Sequence, residues 1–472
     1  MRKISKISLV AAVAVAGFST ANAQPLEQAI KDVDVSGSVV YRYDNFHSKN
    51  ITAGANQPAV ASKDTDTNRY KVALNLSSKV NDYVKFNSRF IVGGADNGFA
   101  SLNAKASHYN TSTGANSSGR NGGDGNADVA LSNAYFGFTA IPNTVVNIGK
   151  QGLTTPYTVA VDANGNEQNG TGILALTNVG PVTFGAGYFN NSNLDNGTTD
   201  INLSYGLKGS NLYSRNGARQ VTNDIPVGTT GSNLVAAGDK AFFDGANDIY
   251  VATVQGDLDF VKLEAWYLGL QDTFGSYTLA ATSNLDLAEN AKLGLEARYV
   301  NLELDDRFSA PGVKPLETDN SMFRFAVDGK FSIVNARLAY TKTGKDGGLT
   351  AVDQDAKNTS LGWAITSNGV ADADYIQAAL GADILSNLNF TLNYGKLKAD
   401  NQTIAPIVAA ARANLVSLDN IEQEEVYGQL TYKMSKNLTT YLRYGTYEAK
   451  TESTGAKTID DTRGRIQVAY TF

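Results

Sequence analysis

The sequence predicts an all-β protein, a transmembrane antiparallel β-barrel, and three observations lead there. Apolar and polar residues alternate with period two in segments of about ten residues, arginines recur between large apolar neighbours, and short connections alternate with long ones. No segment reaches 18 consecutive apolar residues, and mean hydropathy is slightly negative. That pattern excludes a helical membrane protein. It suits a barrel, in which only every second residue meets lipid.

Residues 1–23, MRKISKISLVAAVAVAGFSTANA, read as a secretory signal peptide: Arg2, Lys3 and Lys6 precede an apolar run, and Ala21-Asn22-Ala23 supplies a small-x-small cleavage site. The mature chain, 24–472, is then one barrel domain. Cleavage removes three of 40 basic residues and none of 46 acidic ones, leaving 37 against 46, a net charge of −9. Such a balance argues against binding nucleic acid through a general basic surface. The chain contains no cysteine, so an exported protein of this kind takes its stability from something other than disulfides.

The strands follow in order. VDVSGSVVYRYD puts Val33, Val35, Gly37, Val39, Tyr41 and Tyr43 on one face and Asp34, Ser36, Ser38 and Arg42 on the other. RYKVALNLSS does the same with Tyr70, Val72, Leu74 and Leu76. VKFNSRFIV, LSNAYFGFTA, VVNIGKQ, a weak strand near Gly172 to Val179, VTFGAGYF, IYVATVQG and VKLEAWYLG come next. FGSYTLAATSN, KLGLEARYV, MFRFAVDG, VNARLAYTK, DYIQAALGADI, LNFTLNYGKL, EVYGQLTYKM, LTTYLRYGTY and RGRIQVAYTF complete a set of 18. Sixteen is the alternative count, because 199–248 has no clear period.

The connections AIPNT, NVGPV, LDLAENA, KFSIV, ILSNLN and KMSKNL are tight, whereas 93–128, 191–248, 343–372 and 399–423 are long and polar. Short periplasmic turns on one rim and long extracellular loops on the other are the organisation of bacterial outer-membrane barrels. Arg42, Arg298, Arg324, Arg337 and Arg443 each sit between apolar neighbours, so each points away from the apolar face. An arginine on the lipid face at midplane costs about 2–4 kcal/mol, so these five are expected to face a wet lumen. In the final stretch Gly464, Ile466, Val468, Tyr470 and Phe472 share one face, as expected of a last strand that closes a barrel against the first.

These features resemble a known family, the major outer-membrane porins of Campylobacter and its relatives. The resemblance is carried by PLEQAIKDVDVSGSVVYRYD after the signal, VNIGKQ before a Gly-rich loop, and RIQVAYTF at the end. It implies an integral outer-membrane protein forming homotrimers of 18-stranded pores, in contact with outer-membrane lipid and lipopolysaccharide. It also implies a third extracellular loop folded into the lumen, here Gly152 to Gly172.

In that loop the charged residues are Asp162 and Glu167. An acidic loop facing a wall of Arg42, Arg69, Arg89, Arg298, Arg324 and Arg337 would set a transverse field across the constriction. Glu296 and Arg443 complete the candidate lumen set. Asp162, Asn164 and Glu167 also offer oxygens at a spacing like that of calcium loops, which makes a Ca2+ ion at the constriction loop a candidate although no cofactor is required. The motif lacks the sixth-position Gly and twelfth-position Glu of such loops, so an Asx/Gly turn competes with it. Asp124, Asn126 and Asp128 form a second fragment of the same kind.

Two rival functions have weaker support. An enzyme barrel needs a general base, usually His, and His47 and His108, both in loop-like stretches, lie near no Ser-Gly turn or carboxylate pair. An adhesin using the barrel as scaffold is the alternative. The first strand starts too soon after the cleavage site to leave room for the plug of a gated transporter. The expected function is passive diffusion of ions and small hydrophilic solutes through a water-filled channel, with a mild cation preference, and no catalysis.

Overall fold

The computed structural model describes residues 33–50, 63–94, 98–101, 107–110, 115–118, 128–193, 246–305, 318–345, 347–399, 421–451, 455 and 457–472. The signal peptide, Asp124 and Asn126 lie outside the described residues.

Eighteen antiparallel strands close into one barrel. They are β1 (Val33–Asn50), β2 (Lys63–Asn81), β3 (Val84–Gly93), β4 (Asp128–Phe138), β5 (Thr144–Gly152) and β6 (Asn169–Val179). Next come β7 (Val182–Ser192), β8 (Ile249–Leu258), β9 (Val261–Leu270), β10 (Phe274–Ala288), β11 (Ala291–Leu304) and β12 (Asp319–Phe331). The last are β13 (Val334–Thr343), β14 (Ala373–Leu385), β15 (Leu388–Ala399), β16 (Ile421–Lys433), β17 (Leu438–Thr451) and β18 (Lys457–Thr471). Each pairs with its sequence neighbours, and β7 pairs directly with β8, so the count of 18 needs no strand from 199–248. A two-residue segment, Ala100–Ser101, extends the sheet at β2, and Ser107–Asn110 pairs with Ala115–Ser118. His108 lies in that hairpin, and His47, expected in a loop, lies in β1.

The seam runs along β1 and β18, from Ser38 opposite Thr471 to Asn50 opposite Ile459. Phe472 extends it, donating its N–H to Gly37 O at 3.1 Å while its own carbonyl accepts Gly37 N–H at 2.9 Å. Gly37 has no substitute there, because a Cβ would fall 2.3 Å from Ala73 O. With every strand paired on both sides, no backbone edge is left open to lipid.

The period-two reading of faces holds. Val35 and Tyr41 are 55% and 40% exposed, whereas Arg42 and Asp44 on the opposite face are 5% and 2% exposed. On the outside, Tyr188, Tyr250, Tyr277 and Tyr299 form part of an aromatic belt, with ring contacts of 5.5 Å between Tyr188 and Tyr250 and 6.1 Å between Tyr277 and Tyr299. Such belts sit at membrane interfaces.

Inside, the wall is not uniformly wet. Ile249, Val251, Leu268, Leu270, Val300 and Leu302 pack against Leu153 and Tyr157 of the loop after β5 and Leu349 and Val352 of the loop after β13. This dry core sits on one side of the lumen, against β8–β11.

Candidate functional site: two inward loops

The loop after β5, residues 153–168, folds into the barrel and is fastened to the wall by charge. Lys71 on β2 donates to Glu167 Oε1 at 2.5 Å and to Gly165 O at 2.5 Å. Arg89 on β3 reaches both Glu167 oxygens, at 2.9 and 3.0 Å, and Ser132 on β4 donates to Oε2 at 2.9 Å. Burial opposes ionisation of Glu167, but the hydrogen bonds and charges of Arg89 and Lys71 outweigh it and hold its pKa below the ordinary value. Arg42 donates to Ala163 O at 3.1 Å and to Gln467 at 2.8 Å, and its guanidinium lies 4.3 Å from the ring centre of Phe99.

Asp162 turns back on its own loop. Its Oδ1 accepts Asn166 N–H at 2.7 Å and its Oδ2 accepts the Asn166 side chain at 2.7 Å, around Gly165 at φ +83°. The Asp162-x-Asn164-x-Asn166 spacing thus builds an Asx turn. Asn164 stays partly exposed while Glu167 points to the wall. Among the described residues no three acidic or imidazole side chains are grouped to hold a metal ion.

The expected picture of an acidic loop facing an open basic wall is corrected in its partners. Arg89 and Lys71 are bonded to Glu167 itself, and Arg69 lies 4.0 Å from Asp44. Arg298 on β11 and Arg324 on β12 are bonded to a second inward loop, residues 344–372, which the sequence reading left on the extracellular rim. Glu296 Oε1 receives Arg298 Nε at 3.0 Å and Arg324 Nη2 at 2.6 Å. The same arginines hold this loop. Arg298 donates to Asn358 at 3.3 Å, and Arg324 donates to Lys357 O at 2.8 Å and to Thr359 O. Further along, Glu425 on β16 accepts the backbone N–H groups of Trp363 at 3.0 Å and Ala364 at 2.7 Å. The Trp363 ring packs edge-on to Tyr427 at 5.5 Å, with the Arg443 guanidinium 5.2 Å away.

The two loops meet inside the barrel. Val352 and Asn358 donate their N–H groups to Tyr157 O and Pro156 O, each at 2.9 Å. Ala163 N–H donates to Asp355 Oδ2 at 2.6 Å. Beside it lies the fully buried Asp353, whose Oδ1 accepts the Asp355 N–H at 3.2 Å. Burial first, then Asp355 and Asp162, push the Asp353 carboxyl up to about 10.

Between the stretch 355–362 and the wall of β12–β16 lies a cavity of about 320 Å³ that includes Arg324, Arg337, Asp355, Gln377 and Asn393. Arg337, bonded to Asp328 at 2.6 Å, also borders a second cavity of about 490 Å³, formed with Asn284, Asp286 and Lys292. Lys71, Asp353, Asp355 and Glu425 were missed as site residues. For Lys71, between Tyr70 and Val72, the sequence signal was the same as for the arginines.

The His47 ring bonds Asp64 on the neighbouring strand β2.

Solved structures with the same fold are similar over nearly their whole length. OccAB3 of Acinetobacter baumannii aligns at TM-score 0.62 and 14% identity, covering 93% of this chain and 99% of the other. OpdL of Pseudomonas aeruginosa aligns at TM-score 0.62 and 14% identity, covering 94% and 99%. OccK8 (OprE) of Pseudomonas aeruginosa aligns at 0.61 and 14%, covering 93% and 98%. No relative is found among curated proteins. The sequence resemblance is upheld by a family model that matches residues 1–472, and the chain, an integral protein of the outer membrane, belongs to the Campylobacter major outer membrane protein family.

Proposed function

We propose that this outer-membrane porin is a passive, water-filled channel for ions and small hydrophilic solutes, working as a homotrimer with a mild cation preference. The observation that carries the reading is the pair of cavities, about 320 and 490 Å³, that share Arg337 along the inner wall and are lined by charged and amide side chains. A solute passing there meets side chains that replace water contacts without holding it tightly. No step needs a cofactor or covalent chemistry. Lumen roles go to Arg42, Arg69, Arg89, Glu296, Arg298, Arg324, Arg337 and Arg443, with Glu167 and Asp162 as the residues that shape and fasten the loop.

The cation preference rests on the acidic balance of the chain and on Asp355 beside the upper cavity. Lipid and lipopolysaccharide surround the exposed apolar band, and the homotrimer rests on the family. A reversal potential measured across a planar bilayer under a KCl gradient tests the filter. The expected sign is that of potassium; an anion-selective sign would overturn the preference.

A further inference from the structure

The cavity of about 320 Å³ brings together two arginines, Arg324 and Arg337, and two acidic residues, Asp355 and Glu425, of which Glu425 is taken up by the backbone N–H groups of Trp363 and Ala364. On the wall side, Arg298 and Arg324 share the single carboxylate of Glu296, which leaves one positive charge in excess. Next to them Arg337 uses Nη1 on Asp328, and its side chain is 38% exposed, so the rest of its donor fork faces the open space. On the loop side, Asp355 lines the cavity and carries the carboxylate whose Oδ2 accepts the Ala163 N–H at 2.6 Å. Asn393 and Gln377 add neutral polar groups between these poles.

Such a field sorts solutes. A neutral molecule gains little from it. A simple ion is drawn to one side and repelled by the other. A molecule with separated positive and negative groups is matched at both. We infer that this cavity is a transit subsite for small zwitterions of amino-acid type, whose carboxylate meets the Arg337 fork and whose ammonium group meets Asp355. The inference rests on the channel reading and adds to it the solute class. A bidentate arginine–carboxylate contact gives orientation as well as attraction. One lumen arginine beside water binds weakly enough to release its guest, as conduction requires.

The test is permeation into liposomes carrying the full-length protein, with glycine and a neutral sugar of similar size compared in the same preparation. The ratio of the two rates removes differences in protein content and pore width. The ratio should favour glycine in the unaltered protein and fall about threefold or more in Arg337→Gln and in Asp355→Asn. Arg337→Lys, which keeps the charge, should retain most of the preference and separates charge from a purely structural role of the side chain. Sugar entry with a ratio unchanged in both neutral variants would overturn the subsite while leaving the channel intact. Folded protein admitting neither solute would overturn the channel reading itself.

Discussion

The N–H of Ala163 donates to Asp355 Oδ2 at 2.6 Å, joining the tip of one inward loop to the side chain of another nearly two hundred residues later. Asp355 donates its own N–H to the buried Asp353, whose carboxyl is held protonated well above its ordinary range, so that proton lies at the meeting point of the loops. Each loop is also fixed independently to the wall, the first by Glu167 and the second by Glu425. Four carboxylates hold the two loops, and of these Asp355 and Glu425 border the cavity of about 320 Å³.

Glu167→Gln tests the first anchor. The replacement leaves Lys71, whose side chain is 6% exposed, and Arg89 without a counter-charge. Removing one partner of a buried ion pair typically costs about 3–5 kcal/mol. Here the cost falls on the attachment of residues 153–168, so the expected result is noisier single-channel current, with the barrel retained. The same bond predicts a pH response. A carboxyl with a lowered folded pKa adds stability above its unfolded value of 4.5, which is lost as pH falls through the folded value. Current noise in the unaltered channel should therefore rise below pH 4.5 and stay flat in the variant.

Asp353→Asn tests the buried Asp353 proton at the other end of the pH scale. The folded carboxyl keeps its proton to about 10 against an ordinary value of 3.8. Unfolding or loop release therefore frees a proton throughout that window, and the junction weakens as pH rises across it. Asparagine cannot ionise there. Fluctuations of the open channel should increase between pH 5 and 9 in the unaltered protein and not in the variant.

Gly362→Ala tests the second anchor. A Cβ there would fall 1.6 Å from Glu425 Oε1 and 2.7 Å from its Cδ, so the loop must lift away. Loss of the bonds to Trp363 and Ala364 costs about 1–3 kcal/mol. The chain has two tryptophans, and Trp363 leaves its contact with Tyr427. Emission should shift to the red and single-channel conductance should increase; unchanged values of both would contradict the anchoring role.

Asp355→Asn tests the filter. Asn can still accept the Ala163 N–H, so the junction is kept while the negative charge beside the cavity is removed. The reversal potential under a KCl gradient should move toward zero. Double replacement of Asp162 and Glu167 by Asn and Gln should change it less, because both carboxylates are spent on internal bonds.

The barrel was legible in the sequence because facing has a period. Arg42 between Tyr41 and Tyr43 can point only one way if the tyrosines meet lipid, and its 5% exposure against 40% for Tyr41 agrees. The turns were legible because a tight connection such as NVGPV leaves no choice of path. The direction of a long loop has no such signature. Residues 344–372 turn inward because Arg298 and Arg324, paired across β11 and β12, and Glu425, far along the chain on β16, happen to face the same loop. For Glu167, an acidic residue in a loop near basic walls was visible, but its distance from Lys71 depends on the register of β2, which alternation does not define. Asp353 and Asp355 carried no signal, since two aspartates in a polar loop are ordinary until the fold buries one of them completely.

The central claim is tested most directly by inserting the purified, detergent-folded protein into a planar bilayer and recording current. An open channel is predicted, with large stepwise insertions and closures in groups of three at high voltage. A folded barrel that inserts and carries no current would mean that the two inward loops seal the lumen, and would contradict the account.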